Sequence, residues 1–98
     1  MREGRIEIME IGDPENCGGC RQMKAYLMEL SKKWDVSFSL IPFSFVRPNL
    51  TKNIQRIKKL CGGLPKSIPV VIIKNSRGLH MFSGDNGFEG MEEELSNY

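Results

Sequence analysis

The sequence has few of the residues that do chemistry. Its 98 residues include three cysteines, one histidine and one tryptophan. Three cysteines are an odd number and too few for the disulfide framework of a small secreted domain. The single histidine, His80, falls in a strand-like run with no carboxylate paired to it, which favours a structural or exposed residue. No apolar run approaches the length of a membrane span, and no signal-peptide core opens the chain. A cytoplasmic protein with no membrane partner is therefore expected. The net charge of +2 is too small to argue for nucleic acid. Hydrophobic residues at 40% and charged ones at 27% fit an ordinary globular chain. Residues 1–98 read as one domain with a modest core, without repeats or low-complexity segments.

What is present is a dithiol in a telling place, Cys17-Gly18-Gly19-Cys20. Upstream, Ile6, Ile8 and Ile11 stand in a β-like run, with Glu7 and Glu10 between them. Downstream, Cys20, Met23, Leu27, Leu30 and Trp34 recur at helical spacing. A Cys-x-x-Cys between a strand and a helix, near a βαβ pattern, reads as a redox site. A helix start supplies unpaired N–H groups and the positive end of the helix dipole, which favour a thiolate at Cys17. Cys20 lies one turn along on the apolar stripe, so it is the more buried of the two. Cys17 then attacks a substrate disulfide and Cys20 resolves the mixed disulfide. Arg21 adds positive charge nearby, and Asp13 and Glu15 oppose it. A zinc knuckle or a static disulfide remains the other reading of such a pair.

The rest of the chain frames that pair. Arg5–Ile11 reads as the first strand, and residues 12–16 as a loop rich in turn formers. The first helix runs from about Gly18 to Trp34. Val36–Phe43 alternates as a half-buried strand, parallel to the first. A second helix starts from Asn49 or Thr51, carries Leu50, Ile54, Ile57 and Cys61 on one face, and ends at Gly62-Gly63. Val70–Ile73 is a continuous β-branched run, hence a buried central strand. Residues 75–78 form a turn, and Leu79–Ser83 returns as a hairpin partner. Gly84-Asp85-Asn86 opens a last helix with Phe88, Met91 and Leu95 on one face, and Asn86 with Glu89 forms a capping box. The order β-α-β-α-β-β-α predicts an α/β fold with a four-stranded mixed sheet. The strand order should be second, first, third, fourth. The first and last helices should lie on one face and the middle helix on the other.

This order and these motifs resemble the thioredoxin superfamily, and most closely its compact glutaredoxin-like members. The resemblance spans Arg5 to about Leu95. It is strongest where Cys17-x-x-Cys20 is combined with Ile68-Pro69 just before the third strand. It implies a thioredoxin-like fold and a cis Ile68–Pro69 bond facing the dithiol. Ser67-Ile68-Pro69 stands where glutaredoxins carry Thr-Val-Pro, and the backbone of Ile68 would dock the substrate as an added strand does. Gly84 and Asp85 stand at the site that holds a glutathione carboxylate in glutaredoxins. The basic residue often found before the first cysteine is absent here; residues 13–16 are Asp, Pro, Glu and Asn.

The resemblance implies a protein disulfide oxidoreductase, active in electron transport and cell redox homeostasis. It implies protein disulfides as substrates and a thioredoxin reductase or glutathione as electron donor. It also implies a monomer with no tightly bound cofactor. Two other functions fit the same residues. One is a zinc module drawing on Cys17, Cys20, Cys61 and His80. The other is a glutathione-linked iron–sulfur module using Cys17, as in some glutaredoxins. Cys61 reads first as a buried small hydrophobe, and Met23, Met28, Met81 and Met91 as gap-fillers. The basic run from Arg47 to Lys66 and the acidic C-terminal helix read as solvated faces. Lys66, just before Ser67, is the residue placed to meet a glutathione carboxylate.

Overall fold

The structure is a computed structural model and describes residues 6–84 and 87–96. Four strands, β1 (Glu7–Gly12), β2 (Ser37–Pro42), β3 (Val70–Asn75) and β4 (Gly78–Phe82), form one mixed sheet in the order β2-β1-β3-β4. β1 runs parallel to β2 and antiparallel to β3, and β3 and β4 form an antiparallel hairpin. Three helices accompany them: α1 (Gly18–Trp34), α2 (Ile54–Cys61) and α3 (Met91–Ser96).

The two central strands carry the core because their side chains are apolar on both faces. Ile8, Val71 and Ile73 project to one face and meet Leu27 and Leu30 of α1 and Met91 and Leu95 of α3. Met9, Ile11, Val70 and Ile72 project to the other and meet Ile41, Phe43 and Ile57 of α2. The predicted strand order and the predicted division of helices are both found. Among the described residues no helix is long and apolar enough to cross a membrane.

α1 forms because its apolar residues recur at helical spacing and both ends are capped. Cys17 is its N-cap, with an extended backbone and a sulfur that accepts from the Cys20 N–H. Asp35 closes it in the left-handed region at φ 55°, a conformation that short polar side chains tolerate. The Val36 N–H then donates to the Ser31 carbonyl at 3.0 Å, satisfying one of the last free acceptors.

Three expectations need correction. The second helix does not start at Asn49 or Thr51: Pro48–Leu50 is a separate 3-10 turn and α2 begins at Ile54. The Thr51 hydroxyl is taken by the Ser44 N–H at 3.1 Å, so it caps a loop instead of a helix. The last helix begins at Met91, not near residue 86. Gly87 and Gly90 hold φ of +84° and +88°, outside the helical region, and delay it. The proposed capping residue Asn86 lies outside the described residues. Met28 and Met81 are not gap-fillers; both are more than two-fifths exposed. Glu10 of β1, for which the sequence offered no role, is fully buried, because period-two alternation puts it on the face of Ile8, under α1.

Candidate active site around Cys17 and Cys20

The dithiol sits where β1 ends and α1 begins. The loop between them is tied down by Asp13, which is only 5% exposed. The Asn16 backbone N–H donates to the Asp13 carbonyl at 3.1 Å, and the Asn16 side chain donates to Asp13 Oδ2 at 2.9 Å. Hydrogen bonds from Ser44 and then from Asn16 hold the Asp13 carboxyl below the usual carboxylate range. The loop therefore carries a fixed negative charge and delivers Cys17 to the helix start.

The two cysteines are unequal, as their spacing predicts. Both are free thiols, Cys17 half-buried and Cys20 fully buried. The Cys20 N–H donates to Cys17 Sγ at 3.1 Å. This contact is an N-cap made by sulfur. Arg21, in the same turn, spends one guanidinium N–H on the Pro14 carbonyl at 3.0 Å. Burial pushes the Cys20 thiol up to about 12, and the neighbouring Cys17 side chain adds to the rise. A backbone hydrogen bond at Asp13 pulls the other way. Cys20 is thus a thiol at neutral pH unless a base takes its proton.

Glu10 stands where such a base would be needed. A Cβ added at Gly12 would lie 2.8 Å from Cys20 Sγ and 3.7 Å from Glu10 Oε2, so thiol and carboxyl border one small space. Glycine at position 12 keeps that space open. Burial raises the Glu10 carboxyl to about 7, partly offset by the positive charge of Lys24. Among the described residues, its two oxygens are the only buried side-chain oxygens or nitrogens without a hydrogen-bond partner. An unpaired buried carboxylate is expensive, and such a group is a functional-site candidate. Sequence reading missed Glu10 because it followed the apolar residues of β1. Counting by twos from Ile8 would have placed the acid under the dithiol helix.

The other candidate residues divide. Ile68 lines a groove with Cys17. Pro69 packs on the first turn of α1, where a Cβ at Gly19 would meet its Cδ at 3.8 Å. The Ile68–Pro69 bond is cis. Ser67 and Lys66 instead line a separate cavity of about 190 Å³ with Cys61, Val70 and Ser83. Gly84 is exposed and lines neither cavity, and Asp85 lies outside the described residues. Cys61 is half-buried, and burial raises its thiol above the ordinary range.

Cys61 and His80 do not join the dithiol. His80 Nε2 lies 3.0 Å from Asn75 Oδ1 and 3.3 Å from Glu94 Oε1, at the opposite end of β3. Among the described residues no three His, Cys, Asp or Glu side chains are grouped to hold a metal ion. The four-ligand zinc set is therefore not assembled.

No protein-family model matches this chain, and searches of curated proteins and of solved structures each find no match.

Proposed function

We propose that this chain is a thiol–disulfide oxidoreductase with a thioredoxin-like, glutaredoxin-like fold, working through Cys17 and Cys20. The observation that carries this reading is the asymmetric dithiol: a capped, accessible Cys17 and a buried Cys20 beside an unpaired buried acid. The Cys17 thiolate attacks one sulfur of a substrate disulfide. That S–S bond breaks, a new one forms to Cys17, and the second substrate sulfur leaves as a thiolate. Cys20 then gives its proton to Glu10 and attacks Cys17 Sγ, releasing the other substrate thiol and closing the Cys17–Cys20 disulfide. Two electrons have passed from the dithiol to the substrate. A thioredoxin reductase or glutathione, the donors implied by the resemblance, returns them.

Ile68 supports the substrate side of this reading. β3 pairs with β1 from Val70 onward, and Ile68 makes no other backbone hydrogen bond among the described residues. Its N–H and C=O are open to an extended chain passing Cys17. The protein is proposed to act as a monomer on protein disulfides.

Trapping tests the assignment. With an oxidised protein substrate, Cys20→Ser should accumulate a covalent mixed disulfide, and Cys17→Ser should form little or none. Non-reducing electrophoresis with mass spectrometry reads both. Equal trapping by the two variants, or trapping through Cys20 alone, would overturn the assignment of roles.

A further inference from the structure

We propose that the groove beside Cys17 selects a disulfide-bonded polypeptide segment with an apolar and a basic side chain flanking its cysteine, and disfavours acidic partners. This inference names the substrate class of the site just described and rests on that reading.

The groove encloses about 250 Å³, and Cys17 opens into it. One wall is apolar: Phe45, Val46 and Ile68. Phe45 and Val46 are 52% and 70% exposed and adjacent, so together they offer apolar surface to a partner. They are held in place. The Phe45 ring meets the buried Phe43 ring edge-on, with centroids 5.0 Å apart. Beside them, the Ser44 hydroxyl accepts from the Arg47 N–H at 2.9 Å, and the Ser44 N–H donates to Thr51. The loop thus presents two apolar side chains on a pinned backbone next to the attacking sulfur. An apolar partner residue would bury them, and each such residue adds binding in proportion to the area covered.

The groove lining also includes one charged side chain, an acid. Asp13 lines the groove and is held ionised by Ser44 and Asn16. Among the described residues no lysine or arginine lines the groove itself: Arg21 donates to Pro14, Lys66 lines the cavity of Cys61, Arg47 is exposed outside it, and Lys24 and Lys52 line a neighbouring cavity that Asp13 also borders. A lysine or arginine beside the substrate cysteine meets a carboxylate there, and a glutamate meets repulsion. Glutathione is net negative, with two carboxylates against one ammonium, and has no apolar side chain to cover Phe45 and Val46, so it fits the groove less well.

The test uses the full chain with Cys20→Ser, so that each encounter stops at the mixed disulfide. Short peptides are offered whose cysteine carries a thionitrobenzoate cap, with Phe and Lys, Ser and Ser, or Glu and Glu as neighbours. A glutathione conjugate of the same kind is offered alongside. Attack by Cys17 releases coloured thionitrobenzoate. The Phe/Lys peptide should react on the order of tenfold faster than the Ser/Ser peptide, with the Glu/Glu peptide and glutathione slowest. Adding Phe45→Ser or Val46→Ser should bring the Phe/Lys to Ser/Ser ratio toward one. Added salt should weaken the Lys preference and spare the Phe preference. Equal rates for all peptides, or a ratio unchanged in both loop variants, would overturn the proposal while leaving the redox reading intact. If Cys17 does not react even with the small symmetrical thionitrobenzoate disulfide, the redox reading itself fails and the proposal falls with it.

Discussion

The two ends of the sheet differ in the treatment of one buried polar side chain each, Asn75 and Glu10. At the end away from the dithiol, Asn75 is paired through both its nitrogen and its oxygen. The Asn75 side chain, 5% exposed, donates to the Glu94 carbonyl at 2.9 Å and to Glu94 Oε1 at 3.1 Å. Its own oxygen accepts from the Arg77 N–H at 2.9 Å and contacts His80. Nearby, Glu92 takes the Lys33 ammonium at 2.8 Å and the Trp34 indole N–H at 3.2 Å. These contacts fasten α3 to the hairpin and to the end of α1. At the dithiol end the buried Asp13 and Ser44 are paired as well, but Glu10 is buried with no partner at all. Departures of that kind are expected to mark the working end of a protein.

The largest effect expected from breaking this contrast is at Glu10. Its folded carboxyl titrates near 7 against an ordinary 4.5. Between those values the folded chain holds a proton that the unfolded chain has released. Stability therefore falls as pH rises from about 4.5 to about 7, by on the order of 3 kcal/mol. Glu10→Gln removes this slope, so the variant should be the more stable of the two at pH 8 and about equal at pH 4. Urea unfolding of both proteins across that range measures it, and the difference isolates Glu10 from other titrating groups. Under the proposed reaction the same variant should resolve mixed disulfides more slowly at pH 7, since Glu10 is the acceptor proposed for the Cys20 proton. Parallel stability curves for the two proteins would mean that Glu10 is not buried with a raised carboxyl.

A smaller effect is expected at the end away from the dithiol. Asn75→Ala deletes hydrogen bonds to Glu94, Arg77 and His80 at once and leaves buried acceptors open. It should cost about 1–3 kcal/mol of stability and leave the pH slope assigned to Glu10 in place. A loss far below that range, by chemical denaturation, would show that α3 is held by Met91 and Leu95 without the polar clamp.

The smallest effect is at Glu92, whose ion pair with Lys33 is largely exposed. Hydrogen bonds from Lys33, then Trp34, lower its carboxyl, so any contribution is present at neutral pH and fades in acid as that carboxyl takes a proton. Glu92→Gln should leave denaturation midpoints within scatter at neutral pH and high salt. A clear loss there would move Glu92 into the same class as Asn75.

Much of this protein was legible in its residue order. Periodicity fixed β3 as central, because Val70–Ile73 is apolar on both faces and only a position between two covered layers suits it. The stripe from Cys20 to Trp34 fixed α1, and its start at Cys17 set the inequality of the two thiols. These are local properties, read from spacing of two or of 3.6 residues. What spacing could not reach was contact between distant segments. The start of α2 turned on whether Thr51 capped its own helix or the Ser44 loop, and only the folded chain made that choice. Lys66 and Ser67 are neighbours of Ile68 in sequence, yet they line a different cavity from Cys17. Glu10 is a charged residue in a strand, and its meaning came from α1 closing over it beside Cys20. Local order chooses the elements because backbone geometry repeats over a few residues. Burial and the company each side chain keeps are set by the packing of elements far apart in the chain, which is how an acid of β1 comes to lie unpaired beside Cys20.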